Sequence, residues 1–220
     1  MGGAIARGLA AAGWANRLIL VEPGATTTAI RALSAQGALH ITSVSELPAL
    51  DIDAIILAVK PQVMASVAPA YGVAAKSALV ISVAAGTSVA SLNEWLAGPL
   101  AIIRAMPNLP ASIGQGITAA FATPSANADH KKLASELLSA IGDVVWVAEE
   151  GMLDAVTAVS GSGPAYIFYM AEVLAMAGEK MGLPSETAQA LARKTIEGAG
   201  ALLTNSDLSP AELRKSVTSP

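Results

Sequence analysis

Polar residues follow two apolar runs that have the character of buried strands. Lys60 and Pro61 come directly after the run at residues 54–59, and Asn108 stands between two prolines after a further run. Proline makes such turns rigid, and open α/β sheets bind ligands at the carboxyl ends of their strands. We therefore predict a ligand site where Lys60 meets a phosphate or ribose and Asn108 presents its amide. A solvated lysine and a turn-capping asparagine are the alternative interpretations.

The amino-terminal residues have the spacing of part of a dinucleotide-binding motif. Gly2 and Gly3 open an apolar helical pattern, and Glu22 ends the first readable strand about 20 residues later. In the complete motif, backbone N–H groups at the helix start hold a pyrophosphate and the acid holds ribose hydroxyls. The motif's first strand and first two glycines are not in this sequence. A helix start that merely packs closely is therefore an equal alternative.

An interruption breaks a helical pattern later in the chain. Gly161, Gly163 and Pro164 fall within it, and they cost about 1 kcal/mol for each glycine and about 3 kcal/mol for the proline relative to alanine. This predicts either a kink where two helices cross closely or a site to which Ser160 and Ser162 contribute hydroxyls. One segment can serve both purposes.

Composition excludes several functional classes. The chain has 13 Lys and Arg residues against 17 Asp and Glu residues, with no basic block, so no nucleic-acid partner is expected. It has no cysteine and two histidines, which makes a metal site improbable. The uncharged stretch at residues 105–128 contains three prolines and is not expected to cross a membrane as a helix. No secretory leader is recognised, which predicts a cytoplasmic protein.

Apolar runs and helical patterns alternate through the first 150 residues. The runs lie at residues 18–21, 54–59, 79–83, 102–103, 117–121 and 144–147, and the helical patterns between them at about 25–36, 61–67, 89–96 and 129–141. Runs that are apolar throughout are typical of parallel strands buried on both faces. We therefore predict an α/β fold, a Rossmann-like doubly wound sheet, over residues 1–150.

Residues 151–220 contain only helical patterns, at about 152–181, 185–204 and 210–217. These helices carry alanine and glycine on several faces together with larger apolar residues, namely Met170, Val173, Leu174 and Met181. This is more apolar surface than two helices bury by themselves. We predict an all-α dimerisation domain in an intertwined homodimer or a higher homo-oligomer. The alternative is that the helices pack only on their own first domain.

Four segments, taken together and in order, resemble the pyrroline-5-carboxylate reductase family. They are residues 58–61, 104–110, 154–166 and 213–220. The resemblance implies reduction of the cyclic imino acid 1-pyrroline-5-carboxylate to L-proline with NADPH or NADH, the last step of proline biosynthesis. Against the family pattern, which begins with a strand and a glycine pair and continues after Pro220 with glycines and a threonine, the chain looks trimmed at both ends.

The same resemblance implies roles for individual residues. The nicotinamide nucleotide would be lined by Met1, Gly2, Ala58, Val59, Lys60, Pro61 and Asn108, with Glu150 and Val217 as further contacts. Thr218, Ser219 and Pro220 would begin the pocket for the substrate carboxylate, and the candidate catalytic hydroxyls are those of Ser160, Thr218 and Ser219. No catalytic acid is required, because a protonated cyclic imine is already an electrophile.

Glu22 bears on the choice of cofactor. Its carboxylate would accept a hydrogen bond from a free ribose 2′-hydroxyl and repel a 2′-phosphate, so we expect NADH to be favoured. If NADPH is preferred instead, the three threonines at residues 26–28 are the candidates for holding the phosphate.

Two other functions also fit the sequence. One is a reductase of the hydroxyacid-dehydrogenase type, in which Lys180 or Lys194 would be the acid, although each also has the character of an ordinary exposed lysine. The other is a module that binds NAD(P)H without turnover. An absorbance assay with pyrroline-5-carboxylate separates the three functions.

Overall fold

The computed structural model describes residues 1–48 and 51–218. The chain divides into two compact units, Met1–Ser162 and Gly163–Pro220. Within the described residues, all strands belong to the first unit and the second unit is helical. The boundary near residue 150 that the sequence predicts stays a prediction.

The elements follow the predicted alternation. The strands are β1 (Ile19–Val21), β2 (Leu39–Ile41), β3 (Ala54–Leu57), β4 (Leu79–Ser82), β5 (Ile102–Pro107), β6 (Gly116–Ala122) and β7 (Gly142–Trp146). The helices of the first unit are α1 (Gly2–Leu9), α2 (Thr28–Ala35), α3 (Pro61–Val67), α4 (Val89–Trp95), α5 (Ala128–Ser139) and α6 (Met152–Val156). The second unit contains α7 (Gly163–Lys180), α8 (Ser185–Thr204) and α9 (Pro210–Ser216).

The five strands β3 to β7 form one sheet in sequence order, and β1 and β2 form a separate parallel pair. Strands β3, β4 and β5 are parallel, as predicted, but β6 runs antiparallel to β5. The expectation of a parallel sheet throughout was wrong at this position. Only residues 108–115 join the two strands, too few for a parallel crossover, and Gly114 reverses the chain in a left-handed conformation with φ 72°.

The core lies on both faces of this sheet. Alternate residues of β4 point to opposite sides: Ile81 packs in the cluster formed with α1 and α5, and Val80 packs in the cluster formed with α3 and α4. Both side chains are fully buried. This two-sided burial explains why the strands are apolar throughout. The α/β fold with a Rossmann-like sheet and a following helical unit is confirmed.

In the second unit, α7 and α8 pack against each other with small residues between them. A Cβ on Gly178 would lie 3.2 Å from the Cβ of Ala188. Ala188 and Ala192 are the buried residues of α8, and no residue of α7 is buried within this chain. A large apolar surface is therefore left uncovered by the chain itself. None of the helices in the described ranges has the length and apolar character of a membrane span.

Candidate functional site

The carboxyl ends of β3 and β5 lie at the same edge of the sheet. Both strands are parallel to β4, which lies between them, so they run two strand spacings apart, about 10 Å. Leu57, the last residue of β3, is level with Arg104, and β5 continues beyond that level to Pro107. Residues 58–60 follow β3, and Asn108 follows β5. The fold thus brings the positions of Lys60 and Asn108 to one edge, where ligands of open α/β sheets are found.

The start of α1 meets this edge at Ala58. A Cβ on Gly2 would lie 3.0 Å from the Cβ of Ala58, so the absence of a side chain allows the helix start to approach the strand end. Met1 is the N-cap residue and makes no capping hydrogen bond with its side chain. The first N–H groups of a helix have no acceptor within the helix and favour anions. These residues fit the pyrophosphate of a dinucleotide.

Lys60 ends the turn between β3 and α3. It is the N-cap residue of α3 in an extended conformation, and Pro61 occupies the first helical turn, as the sequence predicts. Its side chain is exposed, and no acidic group among the described residues forms an ion pair with it. The ammonium group is therefore available to an anionic ligand.

Asn108 is 8% exposed, and its hydrogen bonds stabilise the turn that follows β5. Its Oδ1 accepts a hydrogen bond from the Ile117 N–H at 3.0 Å, and its backbone carbonyl accepts one from the Ala111 N–H at 3.2 Å. The amide oxygen is therefore used by the fold. The side-chain NH2 group makes no hydrogen bond to protein among the described residues, so it is the part left for a ligand.

Ser160 lies in a π-helical turn, Thr157–Gly161, between α6 and α7. The Ser162 N–H bonds to the Thr157 carbonyl at 2.8 Å, which widens the turn, and a Cβ on Gly161 would lie 2.9 Å from Cε of Met106. The turn therefore packs on β5 close to its carboxyl end. The Ser160 hydroxyl donates to the Val156 carbonyl at 3.2 Å. A serine oxygen that donates in this way can still accept from a ligand.

Glu150 is engaged by two elements of the first unit. Its Oε1 accepts hydrogen bonds from Nη1 of Arg104 on β5 and from the Val89 N–H at the start of α4, each at 2.7 Å. Arg104 is therefore paired with Glu150 in an ion pair. A signal was present, because an arginine within a strand buried on both faces needs a nearby counter-charge.

The loop after β1 carries an acid, and the helix α2 that follows it carries a cation. The Glu22 carboxylate accepts the Gly24 N–H at 3.0 Å and is exposed. Arg31 donates to the Thr26 carbonyl at 2.9 Å and to Thr28 Oγ1 at 3.4 Å. The sequence analysis missed Arg31, which sits nine residues after Glu22 and is placed beside these threonines by the first turn of α2.

Val217, predicted as a cofactor contact, and Thr218, predicted for the substrate pocket, lie in the second unit. Val217 follows α9 and is 83% exposed, and the Thr218 hydroxyl donates to the Arg214 carbonyl at 2.9 Å. Ser219 and Pro220 fall outside the described residues. Across residues 1–48 and 51–218, no group of His, Asp or Glu side chains is arranged to hold a metal ion.

A Rossmann-like unit with a ligand edge, followed by a helical unit, defines the class of dinucleotide-dependent oxidoreductases with a separate helical domain. Two family models match the chain. The model described as NADP oxidoreductase coenzyme F420-dependent matches residues 1–86, and that described as pyrroline-5-carboxylate reductase dimerisation matches residues 150–220.

Individual relatives agree with these matches. The pyrroline-5-carboxylate reductase of Pseudomonas aeruginosa is 40% identical over an alignment of 221 positions, which covers all of this chain and 79% of the relative. That of Glycine max is 36% identical over all of this chain and 80% of its own length. The chain belongs to the pyrroline-5-carboxylate reductase family, and the resemblance drawn from its sequence is confirmed.

Solved structures show the same likeness. The pyrroline-5-carboxylate reductase of Coxiella burnetii has a TM-score of 0.88 and 34% identity, covering 99% of this chain and 81% of its own. The Plasmodium falciparum enzyme, solved with NADP bound, has a TM-score of 0.83 and 30% identity. The match covers 100% of this chain and 81% of the Plasmodium chain. The two alternative functions, a hydroxyacid-dehydrogenase type and a sensing module, are not favoured.

Proposed function

We propose that this chain reduces 1-pyrroline-5-carboxylate to L-proline with NADPH or NADH, the last step of proline biosynthesis. The observation that carries the proposal is the meeting of the α1 start with the end of β3, at the edge where β5 also ends, in a member of this family. The Plasmodium falciparum relative, with its NADP, supports the cofactor class.

The cofactor role is proposed for residues of the first unit and for Val217 of the second. The start of α1, at Met1 and Gly2, would hold the pyrophosphate through backbone N–H groups. Glu22 would hold the ribose hydroxyls. The remaining proposed contacts are Ala58, Val59, Lys60, Pro61, Asn108 and Val217. The bound dihydronicotinamide supplies the hydride, so the protein has to orient the ring and exclude water. The NH2 group of Asn108 suits the carboxamide oxygen.

Hydroxyls are proposed to meet the substrate nitrogen. A protonated imine presents an N–H donor, which needs an acceptor. The oxygens of Ser160 and Thr218 donate their own protons to the carbonyls of Val156 and Arg214, so each can accept from this N–H. Ser219 is proposed to bind the carboxylate; Ser219→Ala should raise KM for the imino acid, and unchanged kinetics would count against that role.

A homodimer or larger homo-oligomer and a cytoplasmic location complete the proposal. The dimerisation family model over residues 150–220 and the uncovered apolar faces of α7 and α8 support assembly. The location stays a prediction, and cell fractionation tests it.

The deciding experiment follows the absorbance of NADPH or NADH in the presence of pyrroline-5-carboxylate, with L-proline measured as product. We expect oxidation of the cofactor to require the imino acid and to equal the amount of L-proline formed. Cofactor binding without oxidation would instead identify the sensing module. The ratio of kcat/KM for NADH to that for NADPH tests the preference predicted from Glu22, and a large advantage for NADPH contradicts it.

A further inference from the structure

We propose that Glu150 is a positioning residue that acts through Arg104 and the start of α4, rather than a residue that touches the cofactor. By holding the start of α4, it sets the turn at residues 83–88, which follows the carboxyl end of β4. The inference rests on the proposed function, because it assumes that NAD(P)H occupies this sheet edge.

One carboxylate oxygen of Glu150 accepts two hydrogen bonds. Oε1 of Glu150 receives both the Arg104 guanidinium and the Val89 N–H at 2.7 Å. Hydrogen bonds to a charged group are shorter and stronger than neutral ones. The Arg104 side chain is 11% exposed and that of Glu150 32%, so loss of the acid would leave a mostly buried cation without a partner.

The start of α4 holds the turn at residues 83–88 in place. Ser88 caps the helix by accepting the Ser91 N–H at 3.1 Å, and the turn before it contains Gly86, with φ 71°, and the buried Thr87. A Cβ on Gly86 would meet no atom within 4 Å, so this part of the turn is open. With seven residues, α4 makes few hydrogen bonds of its own, and the Glu150 bond ties its start to the sheet.

Strand β4 places this turn at the proposed cofactor edge. It lies between β3 and β5, whose ends carry Lys60 and Asn108, so the turn at 83–88 occupies the middle of the proposed cofactor edge. Arg104 stands on β5 beside Ser82, the last residue of β4. A shift of the α4 start would therefore move backbone directly at that edge.

The sharpest test removes the N–H donor and leaves the ion pair in place. Val89→Pro deletes the bond to Glu150 at a position where proline suits a helix start, and Ser88 already has the extended conformation that precedes proline. Val89→Ala is the control, since it keeps the N–H and removes more side-chain packing than proline does. We expect the proline variant to bind NADPH about tenfold more weakly than the alanine variant, a loss typical of one charge-assisted hydrogen bond. KM for the imino acid should change less.

Equal NADPH affinity of these two variants would overturn the proposal. If Val89→Pro does not fold, as judged by circular dichroism, a cycle of Arg104→Gln and Glu150→Gln decides instead. Action through Arg104 predicts that the double variant binds NADPH no worse than Glu150→Gln alone, and that Arg104→Lys recovers part of the affinity. Losses that multiply would show a direct contact of Glu150 with the cofactor.

The wild-type chain separates this proposal from the proposed function. If it binds NADPH but does not reduce pyrroline-5-carboxylate, the function fails and the comparison of affinities still tests Glu150. If it turns over normally and the Val89 variants are alike, only the positioning role fails.

Discussion

Small residues shape the cofactor edge at the residue scale. The start of α1 meets Ala58 because Gly2 has no side chain, and the π-helical turn meets Met106 because Gly161 has none. Chemistry that relies on hydride transfer needs close and fixed geometry more than a strong acid or base.

The approach of Gly2 to Ala58 can be tested directly. Gly2→Ala should weaken NADPH binding by about tenfold, because the new methyl pushes the helix start away from the strand end. Gly3→Ala is the control, since its Cβ would lie 3.4 Å from the flexible end of Arg7. Fluorescence titration with NADPH measures both. Equal binding by the two variants would show that the contact does not position the cofactor.

Ser160 offers a second test at this scale. Ser160→Ala should raise KM for pyrroline-5-carboxylate by about tenfold or more, because it removes a hydrogen bond to the charged N–H of the protonated imine, with little change in NADPH affinity. Thr157→Val is the control, because its hydroxyl also donates to a helix carbonyl, that of Leu153, in the same turn. Steady-state kinetics measures both. A similar rise in both variants would point to helix distortion rather than substrate binding.

At the scale of elements, α9 depends on its cap. The Ser209 N–H and hydroxyl donate to the Glu212 carboxylate at 2.8 and 2.6 Å, and the Glu212 N–H donates to Ser209 Oγ. The hydrogen bond from the Ser209 side chain, and then that from its backbone, hold the pKa of Glu212 below its ordinary value of 4.5. This capping box begins the helix that leads to Thr218.

Because the pKa of Glu212 is lowered, the stability of α9 should depend on pH. A carboxylate whose pKa is lowered by folding stabilises the helix fully above 4.5, and the stabilisation is lost as the pH falls through its folded pKa. The Ser209 amide should therefore be protected from hydrogen exchange near neutral pH. Its protection, measured against the intrinsic exchange rate at each pH, should fall in acid. Glu212→Gln keeps an acceptor that does not titrate in this range, so its protection should change less. Identical profiles for both proteins would contradict the role of the carboxylate.

At the scale of the whole molecule, the uncovered apolar surface of the second unit requires a partner. Consecutive residues of α7 are exposed on all sides of the helix, namely Tyr166, Ile167, Phe168, Tyr169 and Met170, at 49–65%. A helix that is apolar all round is stable in water only when it is surrounded. A second copy of the chain, as the dimerisation family match suggests, is the occupant that we propose.

Phe168→Asp should break this assembly, because a charge would be buried among apolar side chains. Sedimentation velocity should show a dimer or larger species for the wild type and a shift toward monomer for the variant. Val73→Asp is the control, since Val73 is an exposed apolar residue of the first unit at 84%. A monomeric wild type, or an equal effect of both changes, would argue against the dimer.

Local signals were sufficient for most elements. The predicted limits of α3 and α8 agree with the structure, because Pro61 and Pro184 mark helix starts and Gly182, with φ 97°, follows the end of α7. The short strand β2 was missed, since it has three residues and one of them, Leu39, is largely exposed. The direction of β6 was also beyond local reasoning, because apolar runs look alike in either orientation.

The amino-acid order alone determined the class of fold, the family and most of the positions at the strand ends, because these depend on short-range patterns of apolar, proline and glycine residues. Only the tertiary structure decided that Glu150 belongs to Arg104 and Val89, which are 46 and 61 residues away in the chain. Hydrogen bonds and ion pairs depend on distance in space, and no local pattern encodes which of several distant groups the folded sheet brings within reach.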